Sequence, residues 1–401
     1  MNSIISDNVM AASARDRCRS GVALVLPGGG ARAAYQVGVL RAISQMMPRE
    51  APLPFRVLCG TSAGAIIASV LASHANQFRF GTWNLERVWR NFHIDQVFCA
   101  DTASMLRAGT HWLLALVSGG FLVPPPRSLF DNSPLRQLLE LHVNFSKIRQ
   151  HLEHGALDAI AINATSYESS LAVCFYESAR DQVPWKNVWQ VGRSAELCLD
   201  HLMASAAVPF IFPPILLHDG FYGDGAMRQA SPLQAAFNLG AERLLVIGVR
   251  SSSGSGSTKQ SEDVTAQSQR SANAPSFGHI FGFMLDTLFA DGVQQDIERV
   301  KQAARMTEAA YSHFATDPAR RTILTIYPTE DFSLIAQRHT AELPLALKVL
   351  FRTMGAANPS GRMLLSYLLF EARYTRELIL LGYKDAMARR TEIHDFIVSD
   401  R

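Results

Sequence analysis

Residues 56–75 read RVLCGTSAGAIIASVLASHA, in which an apolar run passes through two glycines into a small-residue helical pattern. The run 57–59 is typical of a buried strand, and the pattern from Ala63 to Ala75 predicts a helix. Ser62 stands between them, at the centre of a sequence that fits G-x-S-x-G. On such a sharp turn the serine hydroxyl is exposed beside a helix N-terminus, which suits a nucleophile. Taken alone, the motif is also compatible with a tight turn that has no chemistry.

The same alternation of strand and helix extends along the chain from Gly21. Continuous apolar strands separated by helices are typical of a mainly parallel sheet covered on both faces, so the fold class is predicted as α/β, with three α/β/α layers. Strands are predicted at 22–26, 55–59, 157–167, 170–178, 220–224, 243–249 and 321–328. Helices are predicted at 32–47, 63–75, 84–126, 134–143, 195–207, 231–241 and 279–312, and again towards the C-terminus. Ser133 is the predicted N-cap of the helix that begins at Pro134.

Composition and charge exclude several classes of protein. The 401 residues are 48% hydrophobic and 18% charged, which is ordinary for a globular protein with a large core. A net charge of +3 and the absence of a dense Lys/Arg run give no argument for nucleic acid as a partner. The five cysteines are scattered without a C-x-x-C spacing, which argues against a disulfide framework or a zinc site. Neither a metal nor another cofactor is expected.

Two segments are not predicted to belong to the hydrophobic core. Residues 1–20 contain acidic residues and lack the apolar stretch of a secretion signal, so they are interpreted as a flexible tail. Residues 251–276 are polar and of low complexity, and are predicted to be a disordered insert. Of the two longest apolar runs, 112–123 is too short to cross a bilayer and 202–217 is broken by Pro209, Pro213 and Pro214. A cytoplasmic or peripheral membrane location is therefore expected.

A glycine-rich loop, LPGGGARAAYQ, follows the first strand. It could be a dinucleotide fingerprint, but Ala33 fills the last glycine position and no well-placed acidic residue follows. The alternative is an oxyanion loop, since consecutive glycines let backbone N–H groups point inward without side chains in the way. Arg32 could hold this loop, face an anionic substrate, or be a solvated charge at a helix end.

A carboxylate stands between glycines in HDGFYGDGAM, where Asp224 follows an apolar strand. Flexible backbone on both sides could present it to a site. Asp-Gly is also a strong turn signal, so a simple turn residue is the alternative.

Together, three ordered pieces resemble the patatin-like phospholipase family over about residues 20–390. They are the glycine loop, the G-x-S-x-G sequence and a later D-G-A, with supporting matches in SLFDNSPLRQLL and ASAAVPFIFPPI. The nucleophile-elbow residues around Ser62 are Gly60, Thr61, Ala63 and Gly64, and the D-G-A residues after Asp224 are Gly225 and Ala226. One departure is Ala33, whose methyl group disfavours the positive φ that a glycine would allow.

This resemblance implies a lipid acyl hydrolase that uses a Ser62–Asp224 dyad without histidine. The implied oxyanion hole is formed by Gly28, Gly29, Gly30, Ala31 and Arg32. An aspartate is a weak base at neutral pH, so partial burial would be needed to raise its pKa. The implied partner is a phospholipid or another lipid acyl ester, with possible contact to a membrane surface through the apolar stretch 105–127. Ordinary core helix is the alternative for that stretch.

One acyl hydrolase domain is expected over residues 21–390, with a short C-terminal tail at 391–401. Three other functions remain open at this stage. A Ser-His-Asp esterase is compatible with the twelve histidines, and a catalytically silent lipid-binding protein would keep the fold without the reaction. Nucleotide binding through the glycine loop is the third. Oligomeric state, head group and acyl chain length do not follow from the sequence.

Overall fold

The structure is a computed structural model that describes residues 21–119, 121–228, 233–251, 274–310, 322–355 and 361–399. The tail predicted at 1–20 and most of the insert predicted at 251–276 lie outside the described residues. Within the described ranges, no helix is long and apolar enough to cross a membrane.

Nine strands among the described residues belong to one sheet. They are β1 (Val22–Leu26), β2 (Phe55–Thr61), β3 (Ala159–Ser166), β4 (Ala172–Ser178), β5 (Gln190–Ser194), β6 (Ile215–Leu217), β7 (Gly220–Asp224), β8 (Arg243–Ile247) and β9 (Thr322–Ile326).

The α-helices of the described residues surround this sheet. They are α1 (Ala34–Met46), α2 (Ala63–Ser73), α3 (Phe78–Trp89), α4 (Thr102–Val117), α5 (Ser133–His142), α6 (Phe145–Glu153), α7 (Leu199–Ser205), α8 (Gln234–Asn238), α9 (Phe277–Asp286), α10 (Gly292–Ala310), α11 (Phe332–Arg338), α12 (Leu345–Thr353), α13 (Arg362–Leu368), α14 (Ala372–Ala388) and α15 (Arg390–Val398). Short 3₁₀ turns lie at Gly30–Ala33, Ile94–Gln96, Gly225–Met227 and Thr340–Glu342, and a π-helical turn lies at Thr287–Asp291.

The sheet runs β5-β4-β3-β2-β1-β8-β9 and is mainly parallel. The pairs β1–β2, β2–β3, β1–β8, β8–β9 and β4–β5 are parallel, whereas β3–β4 is antiparallel. The hairpin β6–β7 lies off this path and joins it where β7 runs antiparallel to the end of β3. The late strand β9 completes the same sheet, as the sequence predicts.

Two apolar cores lie on opposite faces of the sheet, because successive strand side chains alternate between the faces. On β1, Leu24 and Leu26 belong to the larger core, whereas Ala23 and Val25 belong to the smaller one. The larger core includes residues of α1, α2 and α14, and the smaller includes residues of α8 and α10. The α/β/α layering predicted from the sequence is therefore confirmed.

Several local predictions were wrong in extent. The helical region predicted at 84–126 is divided between α3 and α4, which are separated by a turn at Ile94–Gln96. Helix α4 ends at Val117, so the described residues between 118 and 126 are not helical, contrary to the prediction. The helix predicted at 195–207 is only α7, and the short strands β5 and β6 were not predicted. These strands are short and partly exposed, so their own sequences carry little apolar periodicity.

Candidate active site

Ser62 occupies a strained turn between β2 and α2. Its φ is 53° and its ψ is −127°, a conformation that side chains rarely adopt. The flanking glycines permit the close approach that this turn needs: a side chain at Gly60 would collide with Ala65, and one at Gly64 would collide with the Leu26 carbonyl. Strain of this kind persists only where the surroundings hold it, and it is concentrated at functional sites.

A buried polar chain fixes the backbone of this turn. The Ser62 N–H donates to Ser205 Oγ at 2.8 Å, and the Ser205 hydroxyl donates to the Asn163 carbonyl at 2.6 Å. Asn163 Nδ2 in turn donates to the Gly60 carbonyl at 3.2 Å. Helix α7, which carries Ser205, thus holds the serine turn against β3. Apart from the small residues around Ser205, no feature of the sequence predicts this role.

The sheet topology brings Asp224 to the serine turn. Thr61 pairs with Asn163 across β2–β3, and Ala164 pairs with Asp224 across β3–β7. The ends of β2 and β7 therefore meet at neighbouring positions of β3. The Asp224 main chain is held on both sides, by a bond from its N–H to the Ala207 carbonyl and by one from Thr165 Oγ1 to its carbonyl, each 2.9 Å.

Burial changes the acid–base character of the Asp224 carboxyl, which is 1% exposed. Removal from water raises its pKa to about 7, although the Ala226 N–H and the nearby Ser62 hydroxyl act in the opposite direction by favouring the carboxylate. Oδ1 accepts the Ala226 N–H at 2.9 Å. Oδ2 makes no aligned hydrogen bond among the described residues, so it is the oxygen that remains available to the serine hydroxyl.

The glycine loop packs directly against Ser62. A side chain at Gly28 would lie 2.7 Å from the Phe289 ring and 3.0 Å from Ser62 Cβ, so only glycine fits between them. Gly30 has a φ of 52° and passes close to the Tyr367 carbonyl. Ala33 has a φ of −64°, so the methyl group that departs from the family pattern meets no conformational conflict.

Arg32 is buried and anchors the loop. Its guanidinium pairs with Asp286 at 2.9 Å, contacts Tyr367 OH at 2.8 Å and Ser366 Oγ at 2.9 Å, and stacks over the Tyr367 ring at 3.8 Å. Arg250 approaches the other carboxylate oxygen of Asp286. The alternative of a solvated helix-end charge was therefore wrong, because these partners come from helices more than 250 residues away in the chain.

A mainly apolar cavity extends from Ser62. Ser62, Ile66 and Val70 line it from one face of α2, so it follows that helix for about 12 Å. Other wall residues come from α3, α5, the loop after α7, the π-helical turn and α13; they include Leu85, Val88, Leu135, Leu139, Phe212, Phe289 and Leu368. Asn84 and His142 are polar members of the lining. Burial is the main cause that lowers the pKa of His142, and the nearby charges of Arg87 and His74 lower it further.

Histidine is not part of the serine–aspartate contact. Among the described residues, no histidine hydrogen-bonds to Ser62 or Asp224, and the only histidine that lines the cavity is His142 on α5. The predicted site residues from the three motifs therefore come together without one. His313 lies outside the described residues.

Comparison with known proteins places these motifs in a family. Residues 24–237, just over half of the chain, match the family model for patatin-like phospholipase. A 63-residue stretch is 44% identical to the lysophospholipases NTE1 of Chaetomium globosum and nte1 of Neurospora crassa. That stretch covers 16% of this chain but only 4% of the length of these relatives. Among solved structures, VipD from Legionella pneumophila matches with a TM-score of 0.35 and 11% identity, over 90% of this chain and 67% of VipD.

Proposed function

Since the chain belongs to the patatin-like phospholipase family, we propose that it hydrolyses acyl esters of lipids through Ser62 and Asp224. The observation that carries this proposal is the buried Asp224 carboxyl beside a strained serine at the head of an apolar cavity. The reaction class is a carboxylic ester hydrolysis of the phospholipase A type.

In this proposal Ser62 Oγ attacks the ester carbonyl carbon while its proton passes to the Asp224 carboxylate. The tetrahedral intermediate collapses, the C–O bond to the leaving group breaks, and the departing alkoxide takes the proton from Asp224. Water then attacks the acyl-enzyme while Asp224 accepts a proton from that water. The second tetrahedral intermediate collapses, the bond between the acyl carbon and Ser62 Oγ breaks, and Asp224 returns its proton to Ser62 Oγ, which releases the fatty acid and restores the enzyme. A base is most effective when its pKa lies near the working pH, and a value of about 7 meets that condition.

The glycine loop is proposed to stabilise the oxyanion. A carbonyl oxygen that becomes negative needs N–H donors that are already in place and shielded from water. Gly28 lies against Ser62 without an intervening side chain, and the 3₁₀ turn Gly30–Ala33 begins at the same point. The first N–H groups of a helical turn have no partner within the turn, so those of Gly30 and Ala31 are suited to donate to the oxyanion. The Arg32 N–H is less suited than the sequence predicts, because it already donates to the Gly29 carbonyl at 3.1 Å.

The cavity along α2 is proposed to hold the acyl chain. Its walls are aliphatic and aromatic, and burial of apolar surface stabilises binding by about 25 cal/mol per Å². The polar head group would then remain on the other side of Ser62. A substrate of this kind is presented in a membrane, so peripheral contact with a lipid surface is part of the proposal.

The test is active-site labelling with a fluorophosphonate and turnover of a lysophospholipid. Ser62→Ala should lose both labelling and turnover while it keeps the native circular dichroism spectrum, because alanine fits the small space. Ser69→Ala is the matched control: this serine is buried two turns along the same helix and its hydroxyl makes no hydrogen bond among the described residues. Labelling that persists in Ser62→Ala would place the nucleophile elsewhere.

The dyad itself is tested by substituting each of the twelve histidines with alanine. Asp224→Asn should lower turnover by at least ~10², the lower end for a lost general base. In a Ser-His-Asp triad one histidine variant would be as damaging as Ser62→Ala, since the members act as a unit. A folded histidine variant with that loss would contradict the dyad.

A further inference from the structure

Helix α4 is apolar and yet lies exposed on the surface. Side chains of its second half and of the loop after it form what we call the apolar finger: Trp112, Leu113, Leu116, Val117, Phe121 and Leu122. Leu116 is 80% exposed and Phe121 is 95% exposed. Monomeric soluble proteins rarely leave large contiguous apolar surface open to water, so this finger needs a partner.

The finger belongs to a connected group of elements. Helix α12 lies beside α4, and the Gly278 N–H of α9 donates to the Met354 carbonyl just after α12 at 2.7 Å. The Phe281 ring of α9 lies 6.5 Å from the Phe210 ring, edge to face. The Leu129 N–H, at the base of the finger, donates to the Phe210 carbonyl at 2.7 Å. The contacts thus run from α4 through α12, α9 and the loop 206–214, which we call the Phe210 loop, back to the finger.

Outward side chains on the other members of this group are also apolar. Phe210 is 63% exposed, α9 exposes Phe277, Ile280 and Phe283, and α12 exposes Leu345 and Val349. The inward residues Phe212 and Leu285, from the Phe210 loop and from α9, line the Ser62 cavity. Two elements of the group, the Phe210 loop and α9, therefore carry outward apolar side chains and also form part of the wall of the proposed acyl-binding cavity.

These elements carry more positive than negative charge. The segments 102–117, 121–130, 206–217, 277–286 and 345–353 contain four cations and a single acid. The cations are Arg107, Arg127, Lys348 and Arg352. The acid, Asp286, is buried against Arg32. The nearest acids outside these segments are Asp101, which caps the N-terminal end of α4 opposite to the finger, and Asp131, which follows the segment 121–130. Asp95 and Asp101 also line a pocket beside Leu345 of α12, so the acids lie at the end of the surface away from the finger.

We propose that the apolar finger and its neighbours in α9, α12 and the Phe210 loop are a docking surface for an anionic lipid bilayer. Insertion of apolar side chains removes their surface from water, and cations at the headgroup level are attracted to the negative surface potential. A tryptophan at the base of the finger, with its indole N–H donating to the Ser128 carbonyl at 3.4 Å, has the amphipathic character favoured at that depth. The choice of a lipid as occupant rests on the proposed function.

The experiment measures flotation with vesicles, using protein that carries Ser62→Ala so that lipids stay intact. Vesicles contain either phosphatidylcholine alone or equal parts of phosphatidylcholine and phosphatidylglycerol. The double variant Phe121→Ser/Leu122→Ser should weaken binding to the mixed vesicles by about tenfold or more, because two large apolar side chains no longer insert. Arg107→Gln/Arg127→Gln should weaken binding to mixed vesicles by about fivefold for each cation, with little change on neutral vesicles.

Leu380→Ser/Val398→Ser is the matched control, since these two exposed apolar residues lie on α14 and α15, outside the docking group. It should bind like the parent protein. With Ser62 intact, the finger variant should hydrolyse a soluble short-chain ester at the wild-type rate, which checks its fold; if the double variant misfolds, Phe121→Ser alone takes its place. Vesicle binding that the finger variant retains, or that the parent protein lacks, overturns the proposal.

A finger variant that converts a dimer into a monomer in size-exclusion chromatography would also overturn the proposal, since a second copy would then be the partner of this surface. Failure of the proposed function has a different signature, because vesicle binding does not require turnover. A wild-type protein that hydrolyses no ester but still binds anionic vesicles through the finger would refute the hydrolase and leave the docking surface in place.

Discussion

At the scale of single residues, the burial of Asp224 makes the free energy of folding less favourable. An unfolded aspartate ionises near 3.8, whereas burial raises the pKa of Asp224 to about 7. Above pH 7 this difference opposes folding by a free energy on the order of 4 kcal/mol. Native domains are stable by only about 5–15 kcal/mol, so the cost is substantial. Such a placement is typical of a group that is kept for its chemistry and not for stability.

Asp224→Asn should therefore stabilise the fold at alkaline pH. Between about pH 4 and pH 7 the unfolded chain releases a proton that the native Asp224 retains, so the stability of the wild type falls as the pH rises through this window. The amide cannot ionise, and it can still accept the Ala226 N–H. Urea denaturation should show a larger gain for the variant at pH 8 than at pH 5.

The turnover of the wild type gives an independent check. Because the base must be ionised, kcat/KM should increase with pH through about 7 and then level off. A profile without an inflection in this region, together with an Asp224→Asn variant that is no more stable at pH 8, would show that the carboxyl is ionised throughout.

At the scale of elements, the Arg32–Asp286 pair joins the glycine loop to α9, and Tyr367 adds the contact to α13. Both charges are almost completely removed from water. Breaking a buried pair by removing one charge leaves the other uncompensated, which typically costs 3–5 kcal/mol. The loop that faces Ser62 is therefore held in place by the C-terminal helices.

Asp286→Asn should lower the free energy of unfolding by about 3 kcal/mol, measured by urea denaturation. The comparison variant is Asp158→Asn, which removes the partner of Arg56 from a pair at 2.7 Å whose side chains are about one quarter exposed. That pair is more accessible to solvent, so its loss should cost about 1 kcal/mol or less. Equal effects of the two substitutions would contradict the anchoring role of Asp286.

At the scale of the whole molecule, the fold extends well beyond the residues that match the family model. β8 and β9 continue the sheet, and α14 packs closely on α1, where Gly38 lies against the Ile379 carbonyl and Gly382 against the Tyr35 carbonyl. Phe289 and Leu368, both after residue 237, line the cavity. The C-terminal third is thus part of the core and of the site.

Replacing residues 252–273 with a short glycine–serine linker should leave stability and basal turnover nearly unchanged. The polar composition of this segment offers little apolar surface to a core, and each doubling of loop length costs only ~0.6 kcal/mol. Removal of 372–398 is the contrasting variant and should abolish folding, since it uncovers α1. Circular dichroism and ester turnover report both results. Lost turnover in a folded linker variant would show that the segment acts on the site.

The sequence by itself determined the three motifs and most of the strands and helices, though not all of their bounds. The turn at Ser62 needs small neighbours, which can be recognised in the sequence. The alternation of apolar strands and helices is also a local pattern, so it too can be recognised without the structure. The α/β class follows for the same reason. The short strand β5 was not predicted, because its residues are partly exposed and show no clear alternation of apolar and polar side chains.

Only the tertiary structure decided what each motif residue meets. Arg32 reads equally as a solvated or a buried charge until Asp286, 254 residues away, is placed beside it. The pKa of Asp224 depends on its burial, and the support of Ser62 depends on Ser205, 143 residues further along the chain. The sequence left two interpretations of the apolar stretch 105–127, core helix or membrane contact, and only the structure shows that Phe121 and Leu122 are exposed. Burial and electrostatic environment are set by long-range contacts, whereas sequence patterns report local conformation.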